Sequence, residues 1–395
     1  MPTFLTLLLA YTLSQFFRSF LAVIAPELAH ELNLSPVDLG NISAIWFLAF
    51  ALAQLYVGWS LDRIGPRFTM AGMMAAAVAG SLVLASAQGR GGCLVGMALI
   101  GIGCAPVYMG SLFLFARSLG GAQFAMRSSL LLGLGSAGNL LGSTPLAYAS
   151  QTIGWRMTFT GIAIAAAVAA GLIAWVVRDP VRAEPESGEH ALIGGLLEIV
   201  SLRALWPILP ITLVSYAVLL AERGLWVGPF LADVHHLDAV PRGDVVLMMA
   251  TAMAVGALAY GPAERLGFSH KSIVVAGSVV TGLLLVLLSW FGDRSVLVAT
   301  LLLAMIGAAG MTYVQLIAHA RQFFPAGLLG RGMATMNLLY FGGAGLLQPL
   351  SGTLVAGLKN RGLAPSIVYG DLHLGFGLLL LAATAIYLFA KRRPG

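Results

Sequence analysis

Charge is scarce in this 395-residue chain. Only 10% of its residues are Asp, Glu, Lys or Arg, whereas 59% are hydrophobic and the mean hydropathy is +0.90. Soluble domains carry about 25% charged residues, so the chain has too little charge for an aqueous surface and lipid is expected to solvate most of it. Cysteine is nearly absent: Cys93 and Cys104 lie in or beside one apolar segment, which argues against a structural disulfide, and no CxxC or Cys/His cluster offers a redox or metal site. HExxH, GxSxG and Walker-type loops are missing, as is any histidine cluster. No enzyme activity, cofactor or metal is therefore expected, and any work the protein does must draw on a gradient rather than on ATP. The formal charge of +6 does not point to nucleic acid, because the basic residues fall in short loops without a basic face or an aromatic platform. No basic n-region precedes a short apolar stretch and cleavage site, so Phe4 onward reads as the first retained span.

What the chain does have is an internal repeat. Arg127 to Pro145 reads RSSLLLGLGSAGNLLGSTP and Arg331 to Pro349 reads RGMATMNLLYFGGAGLLQP, each running from an arginine to a proline through glycine-rich apolar sequence. Asp62-Arg63-x-Gly65 recurs as Glu264-Arg265-x-Gly267, Arg117 as Arg321, and Tyr11 with Arg18 as Tyr216 with Arg223. Duplicated apolar halves are the material of alternating-access transporters, which rock two similar bundles about a site held between them. The 48 glycines are expected to let helices approach closely.

Runs of about twenty apolar residues, enough to cross roughly 30 Å of hydrocarbon, fall near 4–27, 39–61, 68–88, 93–116, 127–149 and 155–177, then near 205–231, 244–263, 271–291, 295–320, 329–356 and 369–390. The expected fold is therefore an all-α integral membrane protein with twelve transmembrane helices in two pseudo-symmetric six-helix bundles. Residues 1–178 form the first bundle, 179–203 a cytoplasmic linker marked by RDPVRAEPESGEH, and 204–395 the second. With both termini cytoplasmic, fourteen Lys and Arg fall inside and six outside, with Arg18 and Arg223 left within spans. Three lysines against nineteen arginines hint at a GC-rich bacterial gene, hence a bacterial inner membrane.

The loop after the second span reads Gly58-Trp-Ser-Leu-Asp62-Arg63-Ile-Gly65-Pro66-Arg67. It resembles the signature between helices two and three of the major facilitator superfamily, with Pro66 in place of the first basic residue. The second-half copy departs further, with Tyr260 for the glycine and Glu264 for the aspartate. The resemblance implies that Gly58, Asp62, Arg63, Gly65, Arg67 and Arg117 form a conformational latch, with Asp62 meeting the start of the eleventh helix near Leu329 to Arg331; ordinary positive-inside topology is the competing reading. It also implies a monomer. Gly101-x-Gly103-x-Ala105-Pro106 is similar to the family's fourth-helix motif, but Met97 stands where proton-driven drug exporters carry arginine, and Gly138-x-x-x-Gly142 with Pro145 only loosely matches their fifth-helix motif.

A charge at a helix centre costs about 2.5 to 3.5 kcal/mol by insertion scales and marks function by default. Arg18, Glu222 and Arg223 are the candidates here. Tyr11, Gln15 and Arg18 share one helix face if the first span is continuous, and Tyr216 with Arg223 repeats the spacing of Tyr11 with Arg18. First and seventh helices face the central cavity in the family, so the resemblance implies two guanidinium groups there for an anion, as in the family's organophosphate transporters. The competing reading is that Glu222 neutralises Arg223 or reaches Arg18. Glu222 is the candidate carrier if protons drive transport, while His319 reads as a satisfied interfacial residue. Asn139, Tyr313, Asn337 and Tyr340 are further substrate candidates, with Gln54, Tyr108 and Gln315 behind them, although each equally suits helix packing. The expected function is secondary active transport of a small organic anion, bearing carboxylate or phosphate, by proton symport or anion exchange. The alternatives are a proton-coupled multidrug or metabolite exporter, or a copper importer using Met70, Met74, Met249 and Met253, which otherwise fill the core.

Overall fold

The computed structural model describes residues 2–179, 199, 201–265, 267–324 and 329–391. All regular elements among them are helical. The first half holds α1 (Pro2–Phe16), α2 (Leu21–Leu32), α3 (Pro36–Arg63), α4 (Pro66–Ala85), α5 (Arg90–Ser118), α6 (Gly121–Gly135), α7 (Ala137–Leu141), α8 (Thr144–Ile153) and α9 (Trp155–Val176). A short 3₁₀ turn at Arg203–Leu205 precedes α10 (Leu209–Ala221), which runs through a π-helical turn at Glu222–Trp226 into α11 (Val227–His235). Then follow α12 (Ala239–Arg265), α13 (His270–Phe291), α14 (Val296–Ala309), α15 (Tyr313–Arg321), α16 (Leu329–Asn360) and α17 (Pro365–Tyr387).

Local chemistry sets several of these ends. Ser35 and Asp38 form a reciprocal capping box at the start of α3, with Pro36 in the first turn where its missing N–H costs nothing. Ser269 and Ser295 accept from the backbone N–H of Ser272 and Val298 to open α13 and α14. Asn33 closes α2 in the left-handed region.

Among the described residues ten helices, counting α10–α11 and α14–α15 as one each, are long and apolar enough to cross a membrane, and α1 with α2, bent by 51°, makes an eleventh if the pair is one span. The first span is thus not the continuous helix expected over 4–27; residues 17–20 form a turn within it. The run at 127–149 is not one helix either, but passes through α6, α7 and α8 with breaks at Ser136 and at Gly142–Ser143. Proline at 145 cannot donate to the carbonyl four residues back, and Leu141 is where α7 stops. Most of the proposed linker lies outside the described residues.

The chain divides into two compact units, Met1–Ser187 with Ala239–Gly243 and Gly188–Asp238 with Asp244–Gly395. The first has a core around Leu7, Tyr11, Met70, Met74, Val107 and Ile173. The second is built around Ile208, Val274, Leu316, Met336, Tyr340 and Tyr387. Large apolar side chains such as Trp175, Leu258 and Phe389 are 82%, 78% and 83% exposed, which suits lipid rather than water. Both cysteines are free and buried.

Glycine brings backbones together within each unit. A Cβ on Gly138 would fall on the Thr12 carbonyl, and one on Gly343 would fall on the Leu213 carbonyl. Side chains cannot relieve a clash with backbone, so Gly138→Val is expected to lower thermal stability in detergent by an equivalent of about 1 to 3 kcal/mol. Gly161→Ala, where a Cβ meets nothing within 4 Å, is expected to leave the melting temperature unchanged.

Candidate functional site

In the first unit the Tyr11 hydroxyl accepts from Gln15 Nε2 at 3.0 Å, one helical turn away. The Tyr11 ring lies 5.3 Å from that of Tyr108 at an interplanar angle of 31°. Gly135 leaves room for this ring, since a side chain at 135 would strike it. Arg18 does not continue the helical stripe. It sits in the turn between α1 and α2, with its guanidinium 5.0 Å from the Phe50 ring centroid and 5.8 Å from that of Trp46. Aromatic faces stabilise a cation in an apolar setting. Asn139 is half-buried on α7.

The second unit repeats the arrangement. Tyr216 and Tyr313 lie 5.0 Å apart at 34°, and their sequence separation from Tyr11 and Tyr108 is the same as that of Arg223 from Arg18. Tyr340 adds a third ring 5.9 Å from Tyr216 and donates to the Tyr313 carbonyl at 3.2 Å. Asn337 is half-buried on α16. Arg223, 4% exposed, falls in the π-helical turn. Both arginines therefore occupy irregular backbone, a placement common at functional sites.

Glu222 opens that π turn and is fully buried. Its Oε2 lies 3.2 Å from His373 Nδ1, on α17, also fully buried. His373 was not singled out from sequence, although an ionisable residue inside an apolar run was a visible signal. His319 has both ring nitrogens engaged, by the Tyr387 hydroxyl at 2.6 Å and the Lys391 carbonyl at 2.9 Å. Gln54 donates to the Ala105 carbonyl at 3.0 Å and Tyr260 to the Ala309 carbonyl at 2.6 Å, so both hold helices together. Met70 and Met74 are in the first core, and among the described residues no three His, Cys, Asp or Glu side chains converge as for a metal.

The residues of the expected latch divide. Asp62, Arg63 and Arg117 are exposed, with the Arg117 guanidinium 4.6 Å from the Phe113 ring. Among the described residues, nothing lies within 4 Å of where a Cβ on Gly58 would stand. Gly65 has φ +99 and lies against Asp179. Asp179 Oδ1 accepts from the Arg67 backbone N–H at 2.8 Å, and Arg67 Nε donates to the Ala174 carbonyl at 2.6 Å. Asp179 thus caps the start of α4 from beyond the end of α9, a role no local spacing reveals. The Arg331 side chain lies outside the described residues. Removing a helix cap costs about 0.5 to 2 kcal/mol; Asp179→Ala is expected to lower the melting temperature of the purified protein, whereas Asp179→Asn, which still accepts, is expected to retain most of it.

Comparison with known proteins agrees with this architecture. The "Gentisate transporter" of Corynebacterium glutamicum is 25% identical over 342 residues, spanning 83% of this chain and 75% of that protein. The solved structure of a bacterial homologue of the human lysosomal transporter Spinster, inward-facing and occupied, has a TM-score of 0.77 at 16% identity, covering 100% of this chain and 98% of that one. The nucleoside transporter NupG has a TM-score of 0.81 at 12% identity, covering 99% and 100%. These likenesses show the fold. The model of the Major Facilitator Superfamily matches residues 7–349, and the chain belongs to that family of membrane transporters.

Proposed function

We propose that this transporter carries a small organic anion, and that Arg18 and Arg223 bind its carboxylate or phosphate group. The observation that carries this reading is the repeated constellation of one arginine on irregular backbone with a pair of tyrosines in each half. A guanidinium stays charged at physiological pH and offers a fork of donors to an anion. Tyr11, Gln15 and Asn139 in the first half, and Tyr216, Tyr313, Asn337 and Tyr340 in the second, are the further substrate-binding residues of this reading, and their rings favour an aromatic carboxylate. The curated relative named for gentisate transport is consistent with that class.

Transport proceeds by alternating access of the N- and C-terminal bundles, joined by residues 179–203, with Gly58, Asp62, Arg63, Gly65, Arg67 and Arg117 acting at the cytoplasmic end. Both termini face the cytoplasm of a bacterial cell, and the working unit is a monomer. Glu222 makes proton symport the favoured coupling, with exchange of one anion for another as the alternative.

Thermal stability of the purified protein against gentisate, phosphate esters, lipophilic cations and Cu(I) tests the reading, because a ligand that binds the folded state raises the melting temperature. Stabilisation by an anion, abolished in Arg18→Ala and in Arg223→Ala, is expected. Loss of a charged hydrogen bond of about 1.5 to 3 kcal/mol corresponds to roughly ten- to hundredfold weaker binding. Stabilisation by cations or metal, or an anion response indifferent to both substitutions, would overturn the assignment.

A further inference from the structure

Three fully buried polar side chains from three helices carry atoms without a hydrogen-bond partner: Glu222 Oε1, His373 Nε2, and both amide atoms of Gln348. The first two residues already meet through Oε2 and Nδ1 at 3.2 Å. Gln348 is on α16, which runs beside α10. The Tyr216–Phe341 ring contact below and the bond from Trp226 Nε1 to Ser351 Oγ above bracket it, and this register puts Gln348 level with Glu222. The neighbours of the pair are aromatic: Phe230 lies 5.0 Å from the His373 ring, and Tyr369 packs against both Phe230 and Trp226. A buried polar atom without a partner is rare enough to call for an explanation.

Of the other ionisable groups on the packed elements, Asp371 of α17 is exposed, Tyr387 is bonded to His319, and Tyr340 donates to the Tyr313 carbonyl. On α11, Asp233 binds Lys359 of α16 and the Tyr369 hydroxyl of α17, and His235 binds the Gly292 carbonyl. On α10, Tyr216 is held among the other tyrosines. Arg223 adjoins Glu222 along the chain and stays charged. His373 is a titratable group within hydrogen-bond reach of the carboxylate.

We infer that Glu222 and His373 form the site that binds and releases the coupling proton, within the C-terminal half, with Gln348 at the same level of α16. The inference rests on the proton-symport reading above and adds the partners of Glu222. In the unloaded site the imidazole Nδ1–H donates to Oε2 and holds the carboxylate in place. A proton from one side of the membrane adds to Oε1 and gives a neutral acid. No bond other than O–H forms, and release to the other side restores the carboxylate. His373 is a positioning residue, and Glu222 stands in a π turn, an irregularity frequent at functional sites. A ring nitrogen is a natural proton partner near neutrality and a poor ligand for an alkali cation, which separates this site from a sodium site.

Two measurements on the full-length protein in liposomes test it. Infrared difference spectra across pH should show a protonated carboxyl band that vanishes in Glu222→Gln and whose pH midpoint moves by about one unit or more in His373→Asn, since one unit is the ordinary scale of such environmental effects. Uptake of radiolabelled gentisate driven by a pH gradient, taken as a ratio to gentisate exchange, should fall at least tenfold in Glu222→Gln. Gln348→Leu should move the band midpoint without removing the band. A carboxyl band that persists in Glu222→Gln, a midpoint unmoved in His373→Asn, or uptake that follows sodium instead of the pH gradient overturns the site. If the infrared response is as expected but gentisate is carried by no variant, the anion assignment fails and the proton site stands.

Discussion

A peptide group in hydrocarbon has no solvent to bond with, and leaving it unpaired costs several kcal/mol, so each interruption of a spanning helix must carry its own hydrogen bonds. The break between α1 and α2 does so with tightened bonds from Arg18 N to Gln15 O at 3.3 Å and from Ser19 N to Phe16 O at 3.0 Å. The interrupted run α6–α8 uses Asn139 N to Ser136 O at 2.9 Å and Gly142 N to Gly138 O at 3.1 Å. Between α14 and α15 the Gly310 and Thr312 N–H groups are also satisfied, at 2.9 Å each. Irregular backbone is therefore tolerated at a few defended places, and the intramembrane arginines and Glu222 stand at two of them.

The same constraint explains the glycine content. Lipid is as apolar as a leucine side chain, so helices gain little by hiding hydrophobic surface from it and associate through close packing instead. Gly80 lies so near Gly96 that a Cβ would come within 2.5 Å of its carbonyl oxygen, and Gly377 would come within 2.9 Å of that of Gly282. Such contacts hold helices of each half together at backbone distance.

Duplication then accounts for the likeness of the two halves and for their divergence. The Tyr11–Tyr108 and Tyr216–Tyr313 pairs have closely similar separations and angles. Gly135 in the first half leaves Tyr11 room, whereas the second half places Tyr340 against Tyr216. The buried acid and histidine belong to the second half, with Ser and Phe neighbours of Arg18 in the first. The repeated scaffold thus holds two similar aromatic corners and, in the second half, one buried Glu–His pair.

Hydropathy, repeat and the loop motif at Gly58 to Arg67 were enough to establish a duplicated helical membrane protein of this family, because membrane insertion and backbone satisfaction act on each segment by itself and leave their mark in contiguous sequence. The positions of Arg18, Glu222 and Arg223 were legible for the same reason: a charge inside an apolar run is conspicuous. The bend at residues 17–20 and the division of the run at 127–149 were not, since apolar composition is the same for straight and broken helices. Nor were the meeting of Glu222 with His373, 151 residues later, or the capping of α4 by Asp179. Those depend on which helices lie side by side, a property of packing among segments that no single segment encodes.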